Sequence, residues 1–355
     1  MEVRRAKLVL QDGSLFSGYS FGATSSTSGE VVFNTGMVGY PETLTDPSYK
    51  GQILTLTYPL IGNYGVPGAK TENDLLRWFE SGQIQVQGLI ISDYSEYYSH
   101  WNAQKSLSDW FRESNIPGIY GVDTRALTKT LRTQGAMLGK ILHDHQQEKF
   151  YDPNKENLAA TVSVKEPVTY QKGKRTIVLV DCGTKNSLIQ AFLKRNFTVK
   201  RVPWDYDFTT EIADGIVLSN GPGDPKKCTR TITHVIKMLE TDIPVLGVCL
   251  GSQILALAAG ADTYKLKYGH RSQNQPCREV GTNRCYITPQ NHGYAVDADT
   301  LPQDWREWFY NGNDQTNEGI KHISKPFFGT QFHPEASPGP DDTEFLFDLF
   351  VRAMR

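Results

Sequence analysis

Hydrophobic and polar positions change rhythm near the middle of this chain. Up to about residue 110 the apolar residues come in short strand-like runs. Leu8-Val9-Leu10 and Ser14-Leu15-Phe16 flank Asp12-Gly13, a strong hairpin signal. Glu30-Val31-Val32-Phe33, Gln52-Ile53-Leu54-Thr55-Leu56-Thr57 and Gly88-Leu89-Ile90-Ile91 continue the pattern. Helical spacing enters at Leu107, Trp110 and Phe111, and again at Leu127 and Leu131 behind the cap candidate Asp123. From about 147 to 175 the chain turns polar, through Gln147-Glu148-Lys149, Asp152-Pro153-Asn154-Lys155 and Gln171-Lys172-Gly173-Lys174-Arg175. This predicts a first domain over 1–150, a linker over 151–175 and a second domain over 176–355.

In the second domain, Thr176-Ile177-Val178-Leu179-Val180-Asp181 is a continuous apolar strand. A helical stretch through Ile189, Phe192 and Leu193 follows. Strand runs at 197–199, 216–219 and 244–248 then alternate with a helix over 232–239. Buried strands alternating with helices predict a doubly wound, mostly parallel α/β sheet, behind an N-terminal strand-rich α+β domain. The amphipathic tail 343–354, with Phe345, Leu346, Leu349 and Phe350, is expected to close the second domain as a packed helix. In doubly wound sheets the chemistry lies beyond the carboxyl ends of the strands. Two segments fall there: the loop Ser219-Asn220-Gly221-Pro222-Gly223-Asp224-Pro225, and Cys249.

Cys249 stands in Gly247-Val248-Cys249-Leu250-Gly251, directly after an apolar run. A strand that bends sharply into a helix needs small residues beside the bend, and the glycines supply them. The Ala- and Leu-rich stretch 252–259, stopped by Gly260, is the helix that should follow. A thiol at a helix N-terminus is favoured as thiolate, and the N–H of Leu250 would face an oxyanion formed on an attacked carbonyl. Taken alone, a free cysteine is more often a small buried hydrophobe. The distant triplet His333-Pro334-Glu335 shifts that balance. His333 ends the apolar run 327–332, Pro334 stops the strand, and Glu335 can hold the imidazole from its far side. Nucleophile, base and orienter are then Cys249, His333 and Glu335.

Composition narrows the field. With 37 basic and 39 acidic residues the formal charge is −2, so electrostatics gives no reason to expect nucleic acid or a membrane surface. No apolar run approaches the ~20 residues of a membrane span. The start runs at once into a strand and reads as neither signal peptide nor transit segment. The five cysteines are odd in number and show no CxxC spacing, so neither a disulfide framework nor a tetrahedral metal site is expected. Cys182, Cys228, Cys277 and Cys285 read as structural, and a cytoplasmic setting fits. No Walker pattern occurs, so no ATP site is assigned to this chain.

These residues match a known family. Residues 176–355 resemble a class I glutamine amidotransferase domain. The resemblance rests on the 219–225 loop, Gly247-Val248-Cys249-Leu250-Gly251-Ser252-Gln253, Gln290-Asn291-His292-Gly293-Tyr294 and Gln331-Phe332-His333-Pro334-Glu335. The first half resembles the small, glutaminase subunit of carbamoyl-phosphate synthetase. There the matching motifs are Gly29-Glu30-Val31-Val32-Phe33-Asn34-Thr35-Gly36-Met37, Gly39-Tyr40-Pro41-Glu42, Leu44-Thr45-Asp46-Pro47-Ser48-Tyr49, Gly62-Asn63-Tyr64-Gly65 and Gly121-Val122-Asp123-Thr124-Arg125.

The resemblance implies attack of Cys249 on the side-chain amide of L-glutamine, with proton transfer by His333 oriented by Glu335. It implies glutamine contacts at Ser48, Gly221, Gly223, Leu250, Gln253, Asn291, Gly293 and Tyr294. It also implies a synthetase partner, a large subunit or fused domains, that receives the ammonia for the pyrimidine or arginine pathway. ATP and Mg are expected on that partner, with no cofactor on this chain. Ser252 replaces a usual His, Ser272-Gln273 a usual Gly-His or Gly-Gly, and Asn186-Ser187 and Gln190 also depart from the pattern. The mammalian urea-cycle form lacks the cysteine, so Cys249 argues against that form. The alternatives are a non-catalytic docking or regulatory module and another class I amidotransferase. The first 150 residues argue against the latter.

Overall fold

The Asp12-Gly13 turn joins strands Arg5–Leu10 and Leu15–Gly22, with Gly13 at φ 89° and the Asp12 carboxylate accepting the Ser14 N–H at 2.8 Å. In the computed structural model, which describes residues 4–143 and 146–354, that hairpin is part of a closed seven-stranded barrel. Met137–His143 pairs with the first strand, and Thr27–Asn34, Gln52–Leu56, Gly88–Ile90 and Pro117–Tyr120 complete the circuit back to Leu15–Gly22. Leu8, Val31, Ile53, Ile119 and Ile141 are fully buried. Val32, Leu54 and Leu89, on the opposite face of their strands, join Phe21 and Phe111 in a separate hydrophobic cluster. Helix Leu107–Glu113 is capped by Ser106 and helix Thr124–Gln134 by Asp123, each side chain accepting a first-turn N–H.

The chain divides into two compact units, 1–155 and 156–355. The stretch 151–175 carries defined structure on both sides of that division. Tyr151 donates its N–H to Ser28 Oγ within the first unit. Helix Leu158–Val162 and strand Val168–Tyr170 belong to the second, the strand pairing antiparallel with Thr198–Pro203.

The second unit is built on a ten-stranded sheet. Its centre is the parallel block Thr198–Pro203, Thr176–Asp181, Gly215–Leu218, Val245–Val248 and Phe327–Thr330. Beyond Phe327–Thr330 the sheet continues antiparallel through Asn317–His322, Trp305–Asn311, Asp262–Glu279 and Cys285–Asp297. Val178, Val180, Ile216, Leu218 and Val245 pack with Leu250, Ile254 and Leu255 of the helix that follows Cys249. Phe192 meets Phe347 and Phe350 edge-on. The closing helix Phe345–Ala353 therefore buries Leu346, Phe347 and Phe350, while Phe345 and Leu349 sit on the adjoining, half-exposed face. Among the described residues no helix is long and apolar enough to cross a membrane.

Candidate active site

Strand Val245–Val248 ends at Cys249, and the chain turns directly into helix Leu250–Ala259. Cys249 has φ 54° and ψ −107°, a left-handed conformation that side-chain-bearing residues seldom adopt. Its N–H donates to the Thr330 carbonyl at 2.7 Å, tying the bend to the neighbouring strand. A Cβ on Gly247 would lie 2.5 Å from the Gly251 carbonyl oxygen, and one on Gly251 would lie 2.1 Å from that of Leu218. Both positions therefore require glycine for space alone. Leu250 opens the helix, so its N–H has no acceptor within it.

The thiol is buried. Its Sγ lies 3.7 Å from the Asn291 carbonyl oxygen, and Gln331 Nε2 donates toward it at 3.6 Å. His333 follows the strand Phe327–Thr330, and its N–H donates to the Pro289 carbonyl at 3.0 Å. Its ring Nδ1 stands 2.6 Å from Glu335 Oε1. Nε2 is buried without a full hydrogen bond, and the Cys249 sulfur is among the groups that act on the ring. Burial works against charge on the imidazole, but the Glu335 carboxylate and the sulfur outweigh it and push its pKa up to about 10. Burial likewise opposes charge on Glu335, yet Lys185 and His333 hold its pKa down to about 2. Lys185 Nζ donates to Glu335 Oε1 at 3.1 Å and to the Ala336 carbonyl at 2.6 Å.

The 219–225 loop closes the same strand ends. Asn220 accepts the Lys185 N–H at 3.2 Å and donates to the Gly183 carbonyl at 2.9 Å. Ser219 Oγ accepts the Cys182 N–H at 2.9 Å. A Cβ on Gly221 would lie 2.0 Å from the Cys182 carbonyl oxygen and 2.9 Å from Leu250 Cδ2, so this loop lies directly against the start of the Cys249 helix. A buried thiol, a protonated imidazole, a carboxylate and an ammonium are thus assembled at the carboxyl edge of a parallel sheet, where covalent acyl transfer has the groups it needs.

The model for the carbamoyl-phosphate synthase small chain, CPSase domain, matches residues 8–141, and that for glutamine amidotransferase class-I matches residues 178–353. The chain belongs to the carbamoyl-phosphate synthase small-chain family, with a class I glutamine amidotransferase unit. This chain is 48% identical to multifunctional protein pyr-3 of Neurospora crassa over 98% of its own length and 21% of that protein's. It is 52% identical to multifunctional protein CAD of Squalus acanthias, over 99% of this chain and 16% of that one. It is also 52% identical to human carbamoyl-phosphate synthase [ammonia], mitochondrial, over 100% of this chain and 24% of that one. The chain thus spans about a fifth of the length of these relatives.

Of the glutamine contacts expected from sequence, Gly221, Leu250 and Asn291 lie around Cys249 in the second unit. Gly223, at φ 87°, packs on Leu158 farther along the same loop. Gln253 donates from Nε2 to the Tyr294 carbonyl and to Gln331 Oε1, both at 2.8 Å, which links the Cys249 helix to 290–294 and to Gln331. Gly293 stands opposite the Arg271 guanidinium. Ser48 belongs to the first unit, buried in the turn Pro47–Tyr49 with its N–H on Asp46 Oδ1 at 2.9 Å. Ser252 packs on Gly329, where a Cβ would meet its Oγ at 2.5 Å. Two participants escaped the sequence reading. Lys185 carried no motif and was not singled out, and Gln331 was seen only as part of a motif.

Proposed function

We propose that this chain hydrolyses the side-chain amide of L-glutamine through a thioester on Cys249 and delivers the ammonia to a carbamoyl-phosphate synthetase partner. The observation that carries the reading is Cys249 held at φ 54° beside an imidazole braced by Glu335. The Cys249 proton is kept on His333 while sulfur attacks the amide carbon. The C–N bond then breaks, and His333 returns the proton to the departing nitrogen, which leaves as ammonia. Water attacks the thioester with His333 accepting its proton, the C–S bond breaks, glutamate is released, and the proton stays shared between His333 and the freed Cys249 sulfur. The Leu250 N–H and the backbone of the Gly221-Pro222-Gly223 loop would hold the oxyanion at each tetrahedral stage. Gln253, Asn291, Gly293 and Tyr294 would hold the amino-acid end.

The partner supplies the ATP and Mg chemistry, as a separate subunit or as fused domains, in pyrimidine or arginine supply. Overall identity does not separate a glutamine-using from an ammonia-using chain, since the relatives at 52% include ones whose names specify ammonia. The intact Cys249, His333 and Glu335 favour glutamine. The five unpaired thiols suit a reducing compartment, and we place the protein in the cytosol.

The test is glutamate release from glutamine by the full polypeptide with its synthetase, for the parent and for Cys249→Ala. Loss of glutamine-dependent turnover with ammonia-dependent synthesis retained is expected. Undiminished release by Cys249→Ala would remove the thioester, and no release by the parent would leave a docking module.

A further inference from the structure

Beside the segment that carries Asn291, Gly293 and Tyr294 lies a second cluster of charge. His270 pairs with His292 across the ladder, Arg271 with Asn291 and Ser272 with Gln290. The register shifts on both sides of this window, between Lys265 and His270 and between Ser272 and Gln275. Gly269, at φ 71°, enters it so closely that a Cβ would lie 2.4 Å from the His292 carbonyl oxygen. Three residues are thereby pinned opposite 290–292 while the flanking strand is re-aimed.

His270 is clamped at both nitrogens. Nε2 lies 2.8 Å from Asp314 Oδ2, and Nδ1 lies 3.2 Å from Glu318 Oε1. Burial disfavours charge on this ring, but the two carboxylates prevail and push its pKa to about 9, so it is an imidazolium at neutral pH. Glu318, fully buried, also accepts from Asn311 Nδ2 at 3.1 Å. Its main-chain carbonyl accepts the N–H of Gln331, whose side chain reaches the Cys249 sulfur. His292 stands edge-on to His270, with ring centroids 4.9 Å apart. Burial, and then the neighbouring His270 charge, keep His292 neutral, with Tyr294 O at its Nδ1 and the Gln290 side chain at its Nε2. Atoms of His270, His292 and Glu318 that could ligate a metal lie within 4.8 Å of one another. Both His270 nitrogens already face carboxylates, so the cluster is closed by its own ion pairs.

We infer that Asp314, His270 and Glu318 are positioning residues for glutamine: their ion pairs set the placement of 290–294 and of Gln331 relative to Cys249. The inference rests on the glutaminase reading above. An ion-paired stop differs from apolar packing because removing His270 leaves the buried Glu318 without its cation, and removing Glu318 leaves a buried imidazolium held only by the part-exposed Asp314. The displaced groups are the expected substrate contacts at 291–294 and the Gln331 side chain, whose contact with the sulfur is long at 3.6 Å, while the bend that holds the thiol belongs to another strand. Binding is therefore weakened more than chemistry.

The experiment uses the full polypeptide with its synthetase, comparing the parent with His270→Gln, Glu318→Gln, Glu318→Leu and Asp314→Asn. The KM for glutamine is expected to rise about ten- to hundredfold in His270→Gln and Glu318→Leu, with kcat held within about threefold. Glu318→Gln keeps the hydrogen-bonding shape and should recover part of the loss. Alkylation of Cys249 by iodoacetamide should stay near the parental rate, and so should ammonia-dependent synthesis. Asp314 lies on an exposed turn, so Asp314→Asn decides the matter if the buried variants do not fold, with a smaller rise in KM expected. An unchanged KM in these variants, or kcat falling in step with a slowed alkylation, overturns the positioning role. A parent that releases no glutamate overturns the glutaminase reading instead.

Discussion

Lys185 Nζ sits 3.1 Å from Glu335 Oε1, with 4% and 0% of the two side chains exposed. The lysine stands at the N-terminal boundary of helix Asn186–Lys194, and the carboxylate lies two residues past His333, so the pair joins two segments 150 residues apart. Breaking a buried pair from one side leaves an uncompensated charge. Lys185→Met is expected to destabilise the protein by about 3 kcal/mol. It should also slow glutamate release, because Glu335 loses the charge that keeps it ionised against the ring. Denaturant unfolding and steady-state assays read the two effects separately, and a variant as stable as the parent would refute the first.

The triad ties stability to pH in a defined window. The pKa of His333 is raised to about 10 from 6.5, so its contribution is complete below about pH 6.5 and is lost as pH rises through 10. The pKa of Glu335 is lowered to about 2 from 4.5, so its contribution is present above about pH 4.5 and is lost as pH falls through 2. Both are complete only between about pH 4.5 and 6.5. The stability gap between the parent and His333→Asn is therefore expected to narrow from pH 6.5 toward pH 10. Unfolding midpoints across that range check it, and a gap that widens would reverse the sign argued here.

Much of this was legible in the sequence because it is local. The runs at Leu8, Val31, Ile53 and Leu89 lie in barrel strands, and 176–181, 216–219 and 244–248 mark strands of the parallel block. Barrel closure was not legible. It depends on Arg5–Leu10 pairing with Met137–His143, a contact between distant segments that no window of sequence contains. The long strand Asp262–Glu279 escaped for another reason. Its buried middle is His270, Arg271 and Ser272, so it has no hydrophobic rhythm to read. The same contrast divides the site. The glycines around Cys249 and the spacing of His333 and Glu335 are short-range signals. Lys185 becomes informative only once Glu335 stands beside it.

The backbone of Cys249 offers a test that separates geometry from chemistry. At φ 54° any Cβ is strained, and glycine is not. Cys249→Ala and Cys249→Gly are both expected to lose glutamine-dependent turnover. Cys249→Gly should be the more stable of the two by about 1 kcal/mol, since it releases the strain that alanine keeps. Unfolding curves of the two inactive variants make the comparison. A Cys249→Ala protein more stable than Cys249→Gly would mean that the bend is relaxed in solution.

Gly251 bears on the same bend from the helix side. Alanine there would drive its Cβ to 2.1 Å from the Leu218 carbonyl oxygen, which belongs to a central strand and cannot yield. The helix would have to lift away from the sheet, taking the Leu250 N–H and the thiol with it. Gly251→Ala is expected to cost about 1–3 kcal/mol through overpacking. It should also lower kcat for glutamate release by about ten- to a hundredfold, through misplacement of the reacting groups. Melting curves, turnover and the rate of Cys249 alkylation together separate a lifted helix from a merely destabilised fold. Parental turnover in a folded Gly251→Ala protein would show that the close approach to Leu218 has no part in presenting the sulfur.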